Sequence, residues 1–253
     1  MPFTISHAAA VLPLSGFGRF RPPLAAMMIG SMSPDFAYFL PGELDRVETH
    51  SNAGIFLFCW PVSLALWLLF VRVLEQPTRA LLPDRWHARF VPSNRALTLH
   101  ALALASAAVI LGAATHLLWD SFTHRGTVAV QTFPALHAVA FHYNGWRVRW
   151  FVVLQHLSSI VGMLVLLSWA WRLPPTLSFP RALPPASHEA RVAAVASLIA
   201  ASFGLAIASY LAYPDEWFSR RLFHFAIGGM TGFAIAWICI AFWIRSRLPR
   251  SRT

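Results

Sequence analysis

The sequence predicts an all-α fold: an integral membrane helical bundle of about five transmembrane helices, preceded by an N-terminal interfacial or re-entrant helical segment. Three observations predict it. The 253 residues are 57% hydrophobic and 12% charged, about half the roughly 25% charged content of soluble domains. Five apolar runs approach the ~20 residues that a helix needs to cross a bilayer. The basic side chains are all arginine, scattered at the ends of those runs, as membrane anchoring favours. The net charge of +10 would suit a nucleic-acid partner. The arginines form no basic face, however, and no RNA-type aromatic motif accompanies them, so nucleic acid is excluded and the lipid bilayer is the expected partner.

The elements follow in order along a single helical membrane domain, 1–253. Residues 1–50 form an N-terminal segment. Its start, MPFTISHAAAVLPLSGFGRF, lacks the charged n-region and apolar core of a signal peptide, so the first span is expected to act as an uncleaved insertion signal. Within PLAAMMIGSMSPDFAYFL (23–40), Pro34 and Asp35 interrupt a short apolar run, which therefore reads as interfacial or re-entrant rather than as a sixth span. The transmembrane helices are expected at 54–72, 97–119, 151–171, 191–213 and 223–244. Small residues crowd the second, fourth and fifth, as close helix packing in lipid favours. Between the third and fourth, 172–190 is proline-rich and reads as a stiff exposed linker. Cys59 and Cys239 each sit inside an apolar run and are expected as buried small hydrophobes.

Orientation follows from arginine placement. With five spans, the loop 72–96, the linker and the tail carry twelve of the twenty arginines. That bias puts the C-terminus in the cytoplasm and the N-terminus outside. On this map the histidines converge. His50 stands before the first span, His116 and Asp120 end the second with His124 beyond them, His156 opens the third and His224 opens the fifth. All these ends fall on one membrane face, and His7 and Asp35 join them if 23–40 does not cross.

Ionisable groups at membrane depth are costly and usually functional. Histidine with carboxylate is a borderline ligand set, suited to zinc, manganese or iron. In THLLWDSFTHRG (115–126), His116, Asp120 and His124 are spaced four apart, which stacks them on one helix face. His7, Asp35, His50, His116 and Asp120 are the candidate metal ligands. His124 and His156 are the candidates for orienting ligands or moving protons. Each has an ordinary reading as well. His116 could join helices by a hydrogen bond, Asp120 could pair with Arg125, Asp35 could cap a helix, and His224 reads first as interfacial packing. His100, inside the second span, is expected as a hydrogen-bonded core residue. The loop FPALHAVAFHYNGW (133–146), which holds His137 and His142, is semi-apolar and suits the bilayer surface or a cover over a site. Arg125, Arg147 and Arg149 read first as headgroup anchors.

Five blocks, MPFTISHAAAVLPL, IGSMSPDFAYFL, THSNAGIFLFCWP, THLLWDSFTHRG and LQHLSSIVG, together resemble the bacterial multi-pass membrane proteins classed as domain-of-unknown-function family 4184. That resemblance implies a bacterial inner-membrane protein. More distantly, the series His, Pro-Asp, Thr-His-Ser and His-x-x-x-Asp is similar to the membrane-bound metal-dependent hydrolases and to the zinc-dependent phospholipase C fold. This likeness implies that His7, Asp35, His50, His116 and Asp120 bind a divalent metal, zinc first. Two residues after the Pro-Asp, where those hydrolases often carry an acid, stands Ala37, a departure that tells against a second metal. The function implied is hydrolysis of an ester or phosphoester, in a lipid-like substrate, at the outer (periplasmic) face. The alternative is a non-enzymatic membrane protein that binds haem or metal, transports an ion, or is structural. Carboxylates are poor haem ligands, and the polar groups gather at span ends rather than through the depth a transporter needs.

Overall fold

A computed structural model describes residues 3–16, 23–40, 46–87, 89–90, 97–174 and 185–246. The described residues are overwhelmingly helical, as expected of an all-α chain. Five helices are long and apolar enough to cross a membrane: Asn52–Leu81, Leu99–Thr132, Trp150–Arg172, His188–Leu211 and Phe218–Ser246. They coincide with the five expected runs. The first runs on past its expected C-terminal end, and the second breaks at His124 before a further helical turn, Val128–Thr132. Most of the linker 172–190, and several arginines of the orientation argument, lie outside the described residues.

Contacts divide the chain into two compact units, Met1–Trp67 with Arg95–Arg172, and Leu68–Asn94 with Leu173–Thr253. The first unit begins with a 3-10 helix, Thr4–Val11. Helix α1 (Leu24–Met32) follows and tightens at once into a second 3-10 helix, Ser33–Phe39. Proline at the start of that element suits a helix beginning. A short helical turn, Arg46–Thr49, leads to α2, the long helix Asn52–Leu81. Ser51 starts it as an N-cap, its hydroxyl accepting the Gly54 N–H at 2.9 Å. Two π-helical turns interrupt α2, at Ile55–Cys59 and Phe70–Leu74; such turns shift the register of the faces beyond them.

Helix α3 (Leu99–Thr123) is capped by Thr98, whose hydroxyl accepts the Ala101 N–H at 3.1 Å. Its 25 residues span about 37 Å. One stripe along it is buried: Ala101, Ala105, Ala108, Val109, Gly112, Ala113, His116, Asp120 and Thr123. The small members let α1 reach the backbone. A Cβ at Gly30 would overlap the Val109 carbonyl, and one at Gly112 would overlap the Met27 carbonyl. Helix α4 (Trp150–Arg172) receives the first 3-10 helix in the same way, through Gly162 against Ser6.

Between α3 and α4 stands a hairpin that the helical reading did not contain. Strands β1 (Val139–Tyr143) and β2 (Trp146–Arg149) pair antiparallel across Asn144 and Gly145. Both turn residues have positive φ, 46° and 79°, the pattern of a type I′ turn for which Asn-Gly is the preferred dipeptide.

In the second unit, α5 (His188–Leu211) is capped by Ser187 and pairs with α6 (Phe218–Ser246). Gly228 meets Ser209 and Gly232 meets Ala201, so the two run antiparallel in backbone contact. Two expectations of burial are corrected. Cys239 is exposed on α6, and His100 is exposed because it lies to one side of the buried stripe that Ala101 begins.

Candidate metal centre

The sequence places His7 and Thr4 three residues apart in a 3-10 helix, where positions i and i+3 eclipse. Both therefore face the same neighbour. The Thr4 hydroxyl donates to Asp35 Oδ2 at 2.8 Å. Asp35 caps no helix: the 3-10 helix Ser33–Phe39 has no side-chain cap, and the carboxylate is buried at 1% exposure. Its other oxygen lies 3.3 Å from His50 Nε2 and 3.9 Å from His116 Nε2.

His116 and Asp120 occupy successive turns of the buried α3 stripe. Asp120 Oδ2 lies 3.5 Å from His116 Nε2 and 3.8 Å from His50 Nε2, and Oδ1 lies 3.6 Å from His7 Nε2. The His7 and His116 rings stack with centroids 3.8 Å apart, and His50 stands edge-on to His116. Five residues from four separate stretches of the chain are thus brought together in one unit. Two overlapping groups, His7–Asp35–His116 and His50–His116–Asp120, each have donor atoms within 4.8 Å of one another and could hold a metal ion.

The hydrogen bonding sets the state of these ligands. His116 Nδ1 lies 2.7 Å from the Ser31 carbonyl oxygen. A carbonyl only accepts, so Nδ1 carries the hydrogen and Nε2 faces the two carboxylates. Nε2 has no hydrogen-bond partner although it is buried, and the same holds for both ring nitrogens of His7. A buried unmet polar group costs about 1–3 kcal/mol. The His–carboxylate separations of 3.3–3.9 Å exceed the ~2.7–2.9 Å of a charge-assisted hydrogen bond. They match more closely the ~3.4 Å between donors that each lie about 2.0–2.1 Å from a tetrahedral ion. A cation bound by both donors fits this gap.

Burial first, and then the neighbouring His116, pushes the His7 imidazole down to about 3, so it is neutral and ligand-competent at neutral pH. Burial alone would raise the Asp35 carboxyl. The adjacent His50 and His116 and the Thr4 hydroxyl outweigh it and hold the group below its ordinary value, hence ionised.

The remaining candidates separate. His124 is not a third rung of the α3 stripe. It is the C-cap, with extended backbone at φ −121° and ψ 142°. Its Nδ1 still reaches to 3.4 Å from Asp120 Oδ1 and 3.2 Å from the Thr123 hydroxyl. His156 is exposed on α4 and is not among the residues brought together. His224 lies in the second unit, stacked on Tyr213 at 4.0 Å and 3.3 Å from Glu216. Arg149 donates to the His137 carbonyl at 2.9 Å. The reading of the sequence missed Thr4, the Ser31 carbonyl and Thr49, whose hydroxyl lies 3.1 Å from His50 Nδ1. The Thr4–His7 spacing carried a signal once the segment is recognised as 3-10; the backbone carbonyl carried none.

Comparison with known proteins agrees with the block pattern. No match was found among curated proteins or solved structures. The profile of a domain of unknown function, DUF4184, matches residues 1–242. That match takes in every residue of the buried His/Asp cluster, and the chain belongs to the DUF4184 family.

Proposed function

We propose that the chain is a multi-pass membrane protein that holds one divalent cation, zinc first, and hydrolyses an ester or phosphoester. The observation that carries the reading is the set of His7, His50 and His116 around Asp35 and Asp120, with the buried ring nitrogens of His7 and Nε2 of His116 left without a hydrogen-bond partner at metal-like separations. Membrane residence is supported by the five apolar helices and by what they expose. Helix α5 presents Val192, Val195, Ile199, Phe203, Ile207 and Leu211 outward at helical spacing, a face that water would not tolerate and lipid would.

In this reading His7, Asp35, His50, His116 and Asp120 are the ligands. When bound, the cation supplies a water acidic enough to act as a nucleophile near neutral pH. Hydrolysis of such a linkage would add a water oxygen to the acyl carbon or phosphorus, break the ester bond and pass a proton to the leaving oxygen. The chain contributes orientation and proton handling. The Ser31 carbonyl fixes the His116 tautomer, and the Thr4 hydroxyl fixes Asp35. His124, beside Asp120 Oδ1, positions that carboxylate and is placed to carry the proton. The stacked His7 and His116 rings leave no room for a haem between them, which favours a bare ion.

Metal analysis of the detergent-purified protein tests this directly. Stoichiometric metal is expected in the parent, with loss in His116→Ala and in Asp120→Asn. A folded parent that stays metal-free under metal-replete conditions overturns the reading.

A further inference from the structure

His7 belongs to two features at once. One is the ligand cluster. The other is an apolar groove of about 330 Å³ in the same unit, formed between the first 3-10 helix, Trp119 and α4. The volume falls at the lower end of the ~300–1,000 Å³ of ligand pockets. Along α4 the wall consists of Leu154, Leu157, Val161 and Val165, one helix face by spacing. From Leu154 to Val165 that face runs roughly 16 Å at 1.5 Å per residue, about half the ~30 Å hydrocarbon thickness of a bilayer.

The groove makes almost no polar demand. The Ser6 hydroxyl donates to the Phe3 carbonyl at 2.6 Å, and the Ser158 hydroxyl donates to the Gln155 carbonyl at 3.1 Å. Both are satisfied by their own helices. The unmet polar atoms on the wall are the ring nitrogens of His7. The groove is also open at its side: Leu157 is 51% exposed, Val161 48% and Trp119 43%. Trp119 precedes Asp120 directly, so the wall runs into the cluster along the chain as well as through His7.

We infer that this groove holds one hydrocarbon tail of a lipid ester, one leaflet long, and that it presents the tail's ester or phosphoester linkage to the cluster beside His7. The apolar lining, the lateral opening, the leaflet length and the shared histidine point to the same occupant. The inference rests on the hydrolase reading for the fate of the linkage, while occupancy by the tail is tested separately.

The probe is a palmitoyl lysophospholipid carrying a photoreactive diazirine near the chain end, added to the metal-loaded full-length protein in detergent. Cross-links are mapped by peptide mass spectrometry. Label concentrated on residues 4–10 and 154–165 is expected, displaced by excess unlabelled palmitoyl lysophospholipid and not by a butyryl analogue with the same headgroup. Leu157→Trp should abolish the displaceable label while bound metal is kept; Val161→Trp repeats the test one turn further along α4. Label spread evenly over the outward faces of α4, α5 and α6, and not displaced, overturns the inference, since the groove then holds only bulk lipid. Displaceable groove label in a protein that binds no metal upholds the tail site and sinks the hydrolase reading instead.

Discussion

At the scale of single residues, the cluster depends on partners that offer no metal-binding chemistry of their own. Thr4 is the clearest. Its hydroxyl takes one oxygen of Asp35 at 2.8 Å, which turns the other oxygen toward His50 and His116. Partners behind metal ligands are typically worth about 10–100-fold in affinity. Thr4→Val keeps the side-chain volume and removes the donor. It should weaken metal binding by about that factor in a chelator-competition titration, with Thr4→Ser restoring it. An unchanged affinity would show that Asp35 is held by packing alone. The ligand residue types were legible in the sequence because histidine and aspartate are rare in apolar runs. Their support was not, because Thr4 and the Ser31 carbonyl look like ordinary helix residues until the 3-10 geometry and the α1–α3 contact are known.

At the scale of elements, the decisive contact is α1 against α3. It brings the Ser31 carbonyl to His116, and it exists because Gly30 and Gly112 carry no side chain. Gly30→Ala would drive a methyl into the Val109 carbonyl. It should cost about 1–3 kcal/mol as overpacking and reduce bound metal as well, because the Ser31 carbonyl moves with α1. Gly204 is the control. It lies inside α5 with nothing near its missing Cβ, so Gly204→Ala should stabilise by about 0.5–1 kcal/mol through helix propensity and leave metal content unchanged. Thermal unfolding in detergent with parallel metal analysis checks both; equal behaviour of the two variants would remove the argument. Apolar run length foretold the long helices because runs of that length have few other uses. The β1–β2 hairpin escaped it, although Asn144–Gly145 was a local signal. The flanking aromatic residues suit a membrane surface as readily as an alternating strand.

At the scale of the whole molecule, the chain comprises two compact units, and the cluster lies entirely within the first. The arginine bias predicts a cytoplasmic C-terminus. A periplasmically active reporter enzyme fused after Thr253 should therefore be silent in cells, and activity there would reverse the orientation. The helical class, the five apolar lengths and the residue types capable of ligation are written along the chain. These are local properties: hydropathy is read over ~20 residues and the His116–Asp120 spacing over one turn. Folded contacts are what join His7, Asp35 and His50 to that pair, end the helix at His124 instead of extending its face, and set His156 apart on α4. Those outcomes depend on contacts between residues far apart in the chain, such as Ser31 and His116, 85 positions apart. Such contacts follow from which backbones can touch, and glycine placement and 3-10 turns govern that without leaving a periodic trace in the chain.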